Sequence, residues 1–417
     1  MALVAVAPLV LCAYFADRLV SPAMAWLVFL AAIWAFMAPC RREEEEHHPA
    51  RRRVLRGTLA DPFFWSLVVF AVYSAVVAVN SGVAMVFDTD TLVWRLSAAA
   101  APVLPGSAAS AGLAFFAAAL AAAALYPAIV HSLDSRRASD FALLASALVL
   151  LRVIFNLACG SAAGVAVSPT AYGWWSLIAL AAMLAAVRVR DRFSELVAMA
   201  AFAGCLLATA LGRRPLVTSA FAAAALLLVT VAVIGSWREL RWRGAVRSLL
   251  RFLVALLAFA VCYHWLSGDW TALVPKALRS ASDAVLDRLA FDAAVDHPWI
   301  GVGAGAFPFA AKLGATPSDW TVLGAVPDFG SGALRVFLVE RGMIGSVMLL
   351  IAAGALVYAW FRRAYERGRA YFTAAVALLP IALVTFAFLS VFDGSGLRTE
   401  ALVAFAALAA FSVNGGK

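Results

Sequence analysis

Residues 216–235 read LVTSAFAAAALLLVTVAVIG, twenty residues without a single charge. At 1.5 Å per residue a helix of that length spans ~30 Å, the hydrocarbon thickness of a bilayer. Its flanks are the opposite of its interior. Gly212-Arg213-Arg214-Pro215 precedes it, and Arg238, Arg241 and Arg243 follow within a few residues. An apolar run with arginines at both ends reads as a transmembrane helix whose ends alone reach water. Working outward, twelve such stretches are expected, some of them short: 2–16, 20–39, 63–87, 107–131, 141–165, 173–188, 193–211, 216–235, 249–266, 334–361, 370–391 and 399–412. The turn after the first is very tight, with Asp17, Arg18 and Pro22 in it.

Composition agrees. The 417 residues are 65% hydrophobic and 14% charged, whereas a soluble domain carries roughly 25% charge. Lipid must be the solvent for most of the chain. Alanine-rich runs such as Ala117–Leu125 favour helix, and period-2 alternation is absent, which excludes a β-barrel. The expected class is an all-α integral membrane protein with about twelve transmembrane helices. The first apolar run has no basic segment before it, so no cleavable signal peptide is expected. Five cysteines stand singly, without metal-ligand spacing or a disulfide framework.

Orientation follows from the basic residues. With the N-terminus inside, the cytoplasmic loops 41–60, 132–140, 188–192, 236–251 and 362–369 hold 20 of the 33 lysines and arginines, and Lys417 adds one. The reverse topology would put Arg51-Arg52-Arg53 and Arg362-Arg363 outside, against the positive-inside trend. Both termini are therefore expected in the cytoplasm, in a bacterial inner membrane. The chain divides into helices one to nine (1–266), an external loop (267–333) and helices ten to twelve (334–417). In a bacterium that loop is periplasmic. The net charge of +9 would suggest nucleic acid in a soluble protein. Here the positive-inside bias is sufficient cause, and no nucleic-acid partner is expected. Membrane lipid is.

Polar groups inside such a chain are costly and so informative. The charge run Arg41–Arg53 (RREEEEHHPARRR) reads as a solvated cytoplasmic loop rather than a metal site. Arg152 sits mid-helix in LVLLRVIFN and would cost about 2.5–3.5 kcal/mol unpaired at the bilayer centre. It either packs or snorkels, with Asn156 one turn away, or it faces a substrate cavity. Arg213-Arg214 lies at a helix end on the outer side, where positive charge is otherwise scarce. Two guanidinium groups there suit a diphosphate, or anchor to lipid headgroups. In the loop, Pro275–Ala294 has the period of an amphipathic helix on the membrane surface, with Leu278, Val285, Leu286, Leu289 and Phe291 apolar. His297-Pro298-Trp299-Ile300-Gly301-Val302-Gly303-Ala304-Gly305-Ala306-Phe307 follows, its glycines allowing tight turns and close approach of a ligand to main-chain N–H groups. Glu340-Arg341-Gly342-Met343-Ile344-Gly345 opens the tenth helix. Glu340 and Arg341 either line a polar cavity as an ion pair or simply neutralise one another.

Together these features resemble the bacterial O-antigen ligase and polymerase superfamily. The likeness covers most of the chain in topology and is sharpest in three places. Gly212-Arg213-Arg214 looks like the family's arginine at the outer end of a helix. Arg288 followed by His297-Pro298-x-x-Gly301-x-Gly303-x-Gly305-x-Phe307 is similar to its loop signature. Glu340-x-Gly342-x-x-Gly345 corresponds to its closing glycine motif. One departure matters: the His-Asn pair that ligases carry ahead of that motif is here Ser331-Gly332. The missing histidine favours a polymerase-type relative over a ligase acting on lipid A-core.

The resemblance implies a lipid-linked oligosaccharide donor, undecaprenyl diphosphate bearing a glycan, and a glycan or lipid A-core acceptor. The acceptor hydroxyl would attack the anomeric carbon and expel polyprenyl diphosphate, whose growing negative charge needs fixed positive charge nearby. Arg213, Arg214 and Arg288 are the expected diphosphate ligands, Arg288 and Asp328 the expected catalytic pair with Asp328 as base. His297, Gly301 and Gly303 are the expected loop contacts, with Glu340, Arg341 and Arg152 in support. Neither a cofactor nor a metal is called for. The competing classes are a transporter or flippase of a lipid-linked solute, and a non-catalytic assembly protein. Transporter folds often show inverted halves, and no internal repeat is visible here.

Overall fold

The computed structural model describes residues 56–80, 83–88, 93–98, 108–132, 135–158, 169–189, 192–212, 214–238, 242–267, 269–273, 281–303, 306–323, 332–366, 374–392 and 399–414. The expected spans 2–16 and 20–39 and the charge run 41–53 lie outside them. Within them the chain is helical apart from one hairpin. The ten apolar stretches expected from 63 onward each overlap a helix: α1 Pro62–Asn80, α2 Ala108–Ser132, α3 Ser135–Ala158, α4 Pro169–Val189, α5 Arg192–Leu211, α6 Pro215–Arg238, α7 Trp242–Leu266, α11 Ala333–Glu366, α12 Ala374–Phe392 and α13 Thr399–Asn414. Between α7 and α11 come a 3₁₀ turn, Trp270–Leu273, and the shorter helices α8 Ala281–Asp296, α9 Phe307–Gly314 and α10 Pro317–Leu323.

Among the described residues four segments are long and apolar enough to cross a membrane: Arg192–Leu211, Pro215–Gly235, Trp242–Leu266 and Ala333–Arg362. Pro62–Val77, Ala118–His131, Ala142–Leu151, Val376–Phe392 and Ala401–Val413 are shorter apolar helices. The expected span 63–87 needs correction. Its helix ends at Asn80, and Val83–Asp88 (β1) pairs antiparallel with Val93–Ala98 (β2), Val83 opposite Ala98 and Asp88 opposite Val93. The apolar run continues past Asn80, but Val83, Val86, Phe87, Val93 and Trp94 are residues that favour the extended chain.

Two helices form the centre. Every residue of α4 from Ala171 to Leu180 is buried, with Trp174 edge-on to Phe221 of α6 (4.7 Å) and to Phe405 of α13 (5.2 Å). In α13, Ala406, Ala407, Leu408, Ala409 and Ala410 are all buried. Lipid is as apolar as leucine, so helices in it associate through close packing, which small residues permit. The outer surface is the inverse. Along α7, Leu249, Leu250, Leu253, Val254, Leu257 and Val261 are exposed, and α11 exposes Leu350, Ile351 and Val357. A surface of this kind is stable facing acyl chains and not water.

At one end of the bundle α5 and α7 are pinned by charge. Glu195 is buried; Arg247 donates to it through Nη2 at 2.9 Å, and Arg251 brings Nε to 2.6 Å. Both arginines are about one-third exposed, so they can turn to water if the acid is lost. Glu195→Ala is therefore expected to cost only about 1–2 kcal/mol, read as a modest fall in the unfolding midpoint of the purified protein.

The segment between α7 and α11 folds onto the start of α11. Leu286, Leu289 and Ala290 of α8, Phe307 and Ala311 of α9, and Val336 and Val339 of α11 form a separate core. This corrects the expected amphipathic face. Leu286 and Leu289 point into the protein, while Phe291 is exposed. Two residues beyond Leu289 is about 200° round a helix, so one face cannot hold both.

Candidate functional site

The helix α11 breaks at Gly342 (φ 61°, ψ −166°). An unbroken helix would bond the Met343 amide to the Val339 carbonyl and the Ile344 amide to the Glu340 carbonyl. The break strands all four groups, and the His297–Gly303 turn satisfies each of them. The Met343 and Ile344 amides donate to the Pro298 and Trp299 carbonyls (2.8 and 3.2 Å). The Val339 and Glu340 carbonyls accept from the Val302 and Gly303 amides (2.8 and 3.1 Å). Four backbone bonds thus lock the loop to the helix, leaving none of these polar groups orphaned.

Two glycines make the approach possible. Gly301 has φ 79° and Gly342 φ 61°, the left-handed side that L-residues avoid. A Cβ on Gly301 would lie 2.4 Å from the Val339 carbonyl oxygen, and one on Gly342 would lie 2.3 Å from that of Trp299. Each glycine is required by the other segment's backbone.

Glu340 and Arg341 lie beneath this contact. Arg341 Nη1 donates to Glu340 Oε2 at 3.1 Å, and the Phe307 amide at the start of α9 reaches Glu340 Oε1 at 3.5 Å. The Arg341 side chain is 2% exposed. Its guanidinium carbon stacks 3.8 Å from the Phe115 ring centre and 4.8 Å from that of Phe337, a cation–π contact that strengthens when desolvated. Tyr73 of α1 donates its hydroxyl to the Arg341 carbonyl at 2.6 Å. Of the two readings of Glu340–Arg341, mutual neutralisation fits this geometry, because the guanidinium meets aromatic rings rather than a polar cavity.

Arg288 projects from α8, the helix that packs on the start of α11 through Leu286 and Leu289. Its side chain is 52% exposed, and its Nη2 donates to Asp319 Oδ2 at 2.5 Å. Asp319 itself is buried. It accepts from the Thr316 amide and hydroxyl, both at 2.7 Å; the bond from the amide is the carboxylate half of a capping box at the start of α10. These two Thr316 bonds, and then Arg288, hold the Asp319 carboxyl below its ordinary range. The acid's contribution is therefore full above the ordinary carboxylate range and lost as pH falls through the lowered value. α10 should stay docked at pH 5, with amide exchange in 316–323 rising only in stronger acid; Asp319→Asn should remove that acid step. Sequence reasoning missed Asp319, although Thr316-Pro-Ser-Asp319 is a readable cap. It also missed the ion pair of Arg335, in the first turn of α11, with Asp287 of α8.

The remaining candidates are placed as follows. Arg214 stands before α6, half-buried, with its carbonyl accepting the Thr218 amide and hydroxyl (3.1 and 3.2 Å). His297 is exposed, and its carbonyl accepts the Gly301 amide at 3.1 Å, closing the turn. Gly303 bonds α11 as above. Arg213, Asp328 and Ser331 lie outside the described residues, as does the side chain of Arg152 on α3. The structure joins Gly301, Gly303, Glu340 and Arg341 through the contact of the turn with α11, whereas Arg288 of α8 pairs with Asp319 of α10. Arg214 belongs to the separate α5–α6 turn.

No protein-family model matches the chain, and no curated protein matches it. The site therefore stands on its geometry.

Proposed function

We propose that this chain is a glycosyltransferase of the polysaccharide polymerase or ligase type in a bacterial inner membrane. It moves a glycan from an undecaprenyl-diphosphate donor to a sugar hydroxyl on the periplasmic face. The reading includes twelve spans, cytoplasmic termini, and a periplasmic segment at 267–333. The interlock carries it: the turn 297–303 and the motif at Glu340–Gly345 are two of the three segments on which the family likeness is sharpest, and they meet through four backbone bonds. On α8, which packs against α11, the half-exposed Arg288 pairs with the Asp319 carboxylate.

The acceptor oxygen forms a bond to the anomeric carbon as the bond from that carbon to the diphosphate oxygen breaks. The hydroxyl proton goes to a base, for which Asp328 is the candidate, and the electron pair leaves with the diphosphate. Arg288 and Arg214, with Arg213, are the fixed positive charges that stabilise this leaving group. A planar guanidinium suits two phosphate oxygens at once. The exposed apolar flank of the bundle leaves room for the polyprenyl tail.

Deleting the protein in its host and resolving the surface glycan on a gel tests the reading. A core carrying one repeat means polymerase activity. Loss of all attached repeats, with lipid-linked polymer accumulating, means ligase activity. An unchanged ladder rejects both.

A further inference from the structure

The exposed side of α8 has two edges of opposite character. Arg288, Asp292 and Asp296 follow at helical spacing on one, and Phe291 and Val295 lie on the other, about 80° round the helix. Phe291 is 68% and Val295 59% exposed. Beyond the helix, the turn exposes Trp299 (66%) and Ile300 (46%). Left in water, four large apolar side chains in ten residues would be a liability.

Their position suggests what covers them. The carbonyls of Pro298 and Trp299 accept the Met343 and Ile344 amides, so the turn sits on α11 at the head of its own exposed stripe, Met343, Val347, Leu350 and Ile351. That stripe belongs to Ala333–Arg362, one of the four segments able to cross a membrane. The apolar edge of α8 thus continues a surface that faces acyl chains, while its acidic edge turns away. A helix with one edge apolar and the other charged lies in the interface, its apolar side ~5–10 Å deep, with tryptophan at headgroup level.

We propose that Phe291, Val295, Trp299 and Ile300 form a membrane anchor, inserted among the acyl chains of one leaflet. The anchor holds α8 at the interface with Arg288 at headgroup depth. This rests on the apolar helices spanning a membrane and is independent of any reaction.

The test uses the full chain with its five cysteines replaced, in phosphatidylcholine–phosphatidylglycerol vesicles whose lipids carry doxyl quenchers. An environment-sensitive fluorophore is attached through Val295→Cys, Asp296→Cys or Leu350→Cys. Labels at 295 and 350 are expected to be blue-shifted and quenched by the lipid, and the label at 296 to be quenched by aqueous iodide instead. If 350 is quenched and 295 is not, the anchor is wrong and the membrane reading stands. If neither is quenched, the membrane reading fails first. A blue-shifted label at 295 that no lipid quencher reaches means protein, such as a second copy of the chain, covers the edge; that also overturns the proposal. Photoactivated diazirine phospholipid on the unaltered protein gives a second reading. Adducts on the peptide spanning 291–300 are expected, and their absence alongside adducts on α11 counts against the anchor.

Discussion

Gly342→Ala is expected to lower the unfolding midpoint of the purified protein and free the 297–303 turn from α11. An alanine at φ 61° is strained by about 1–3 kcal/mol, and its Cβ would sit 2.3 Å from the Trp299 carbonyl oxygen. Relief requires the turn to move, which exposes four backbone groups now bonded across the break, each worth about 0.5–1.5 kcal/mol. A total loss of about 3 kcal/mol or more follows. Gly301→Ala should do nearly the same, because its Cβ meets the other side of the same contact, and the double variant should fall well short of the sum. Gly354→Ala is the control. It lies in the same helix with nothing within 4 Å of an added Cβ, so helix propensity makes it neutral or up to about 1 kcal/mol stabilising. Hydrogen exchange at Val302 and Gly303 separates the cases: protection is lost in the first two variants and kept in the control.

Under the proposed function, Arg288→Ala is expected to reduce glycan transfer about 10²–10³-fold, the cost of one fixed donor to a developing anion. The side chain is half exposed and its ion-pair partner among the described residues, Asp319, keeps both Thr316 bonds, so the fold should survive. Arg288→Lys retains the charge but not the planar fork and should recover part of the activity. A structural arginine would behave differently: alanine would lower the unfolding midpoint, and lysine would restore it. Measuring transfer and midpoint on the same preparations distinguishes the two.

Much of the helical arrangement was legible because its signal is local. Residues 216–235 declare a helix by length and lack of charge, and α6 covers them. The hairpin at Val83–Ala98 was not legible, since an apolar strand after an apolar helix reads as the same run. Within the site, both glycine motifs stood out, yet nothing in either marks the other as its partner. Their contact is backbone to backbone between distant segments, and such pairing has no period. Arg288 was visible as a polar-face residue ahead of the glycine-rich turn; its partner was hidden because a capping aspartate looks complete within its own turn. Leu286 and Leu289 share one apolar face with Phe291 in the sequence reading, yet they pack into the protein while Phe291 is exposed, since a lone apolar residue off the stripe is easily counted into it.

The most direct measurement of the central claim uses the donor made by the protein's own host. Lipid-linked glycan extracted from the deletion strain is reconstituted with the purified full-length protein, and released undecaprenyl diphosphate is quantified by mass spectrometry. Release matched by a new glycan product, and sharply reduced by Arg288→Ala, is the predicted result. Donor that stays intact beside folded, membrane-inserted protein supplied with a glycan acceptor would contradict it.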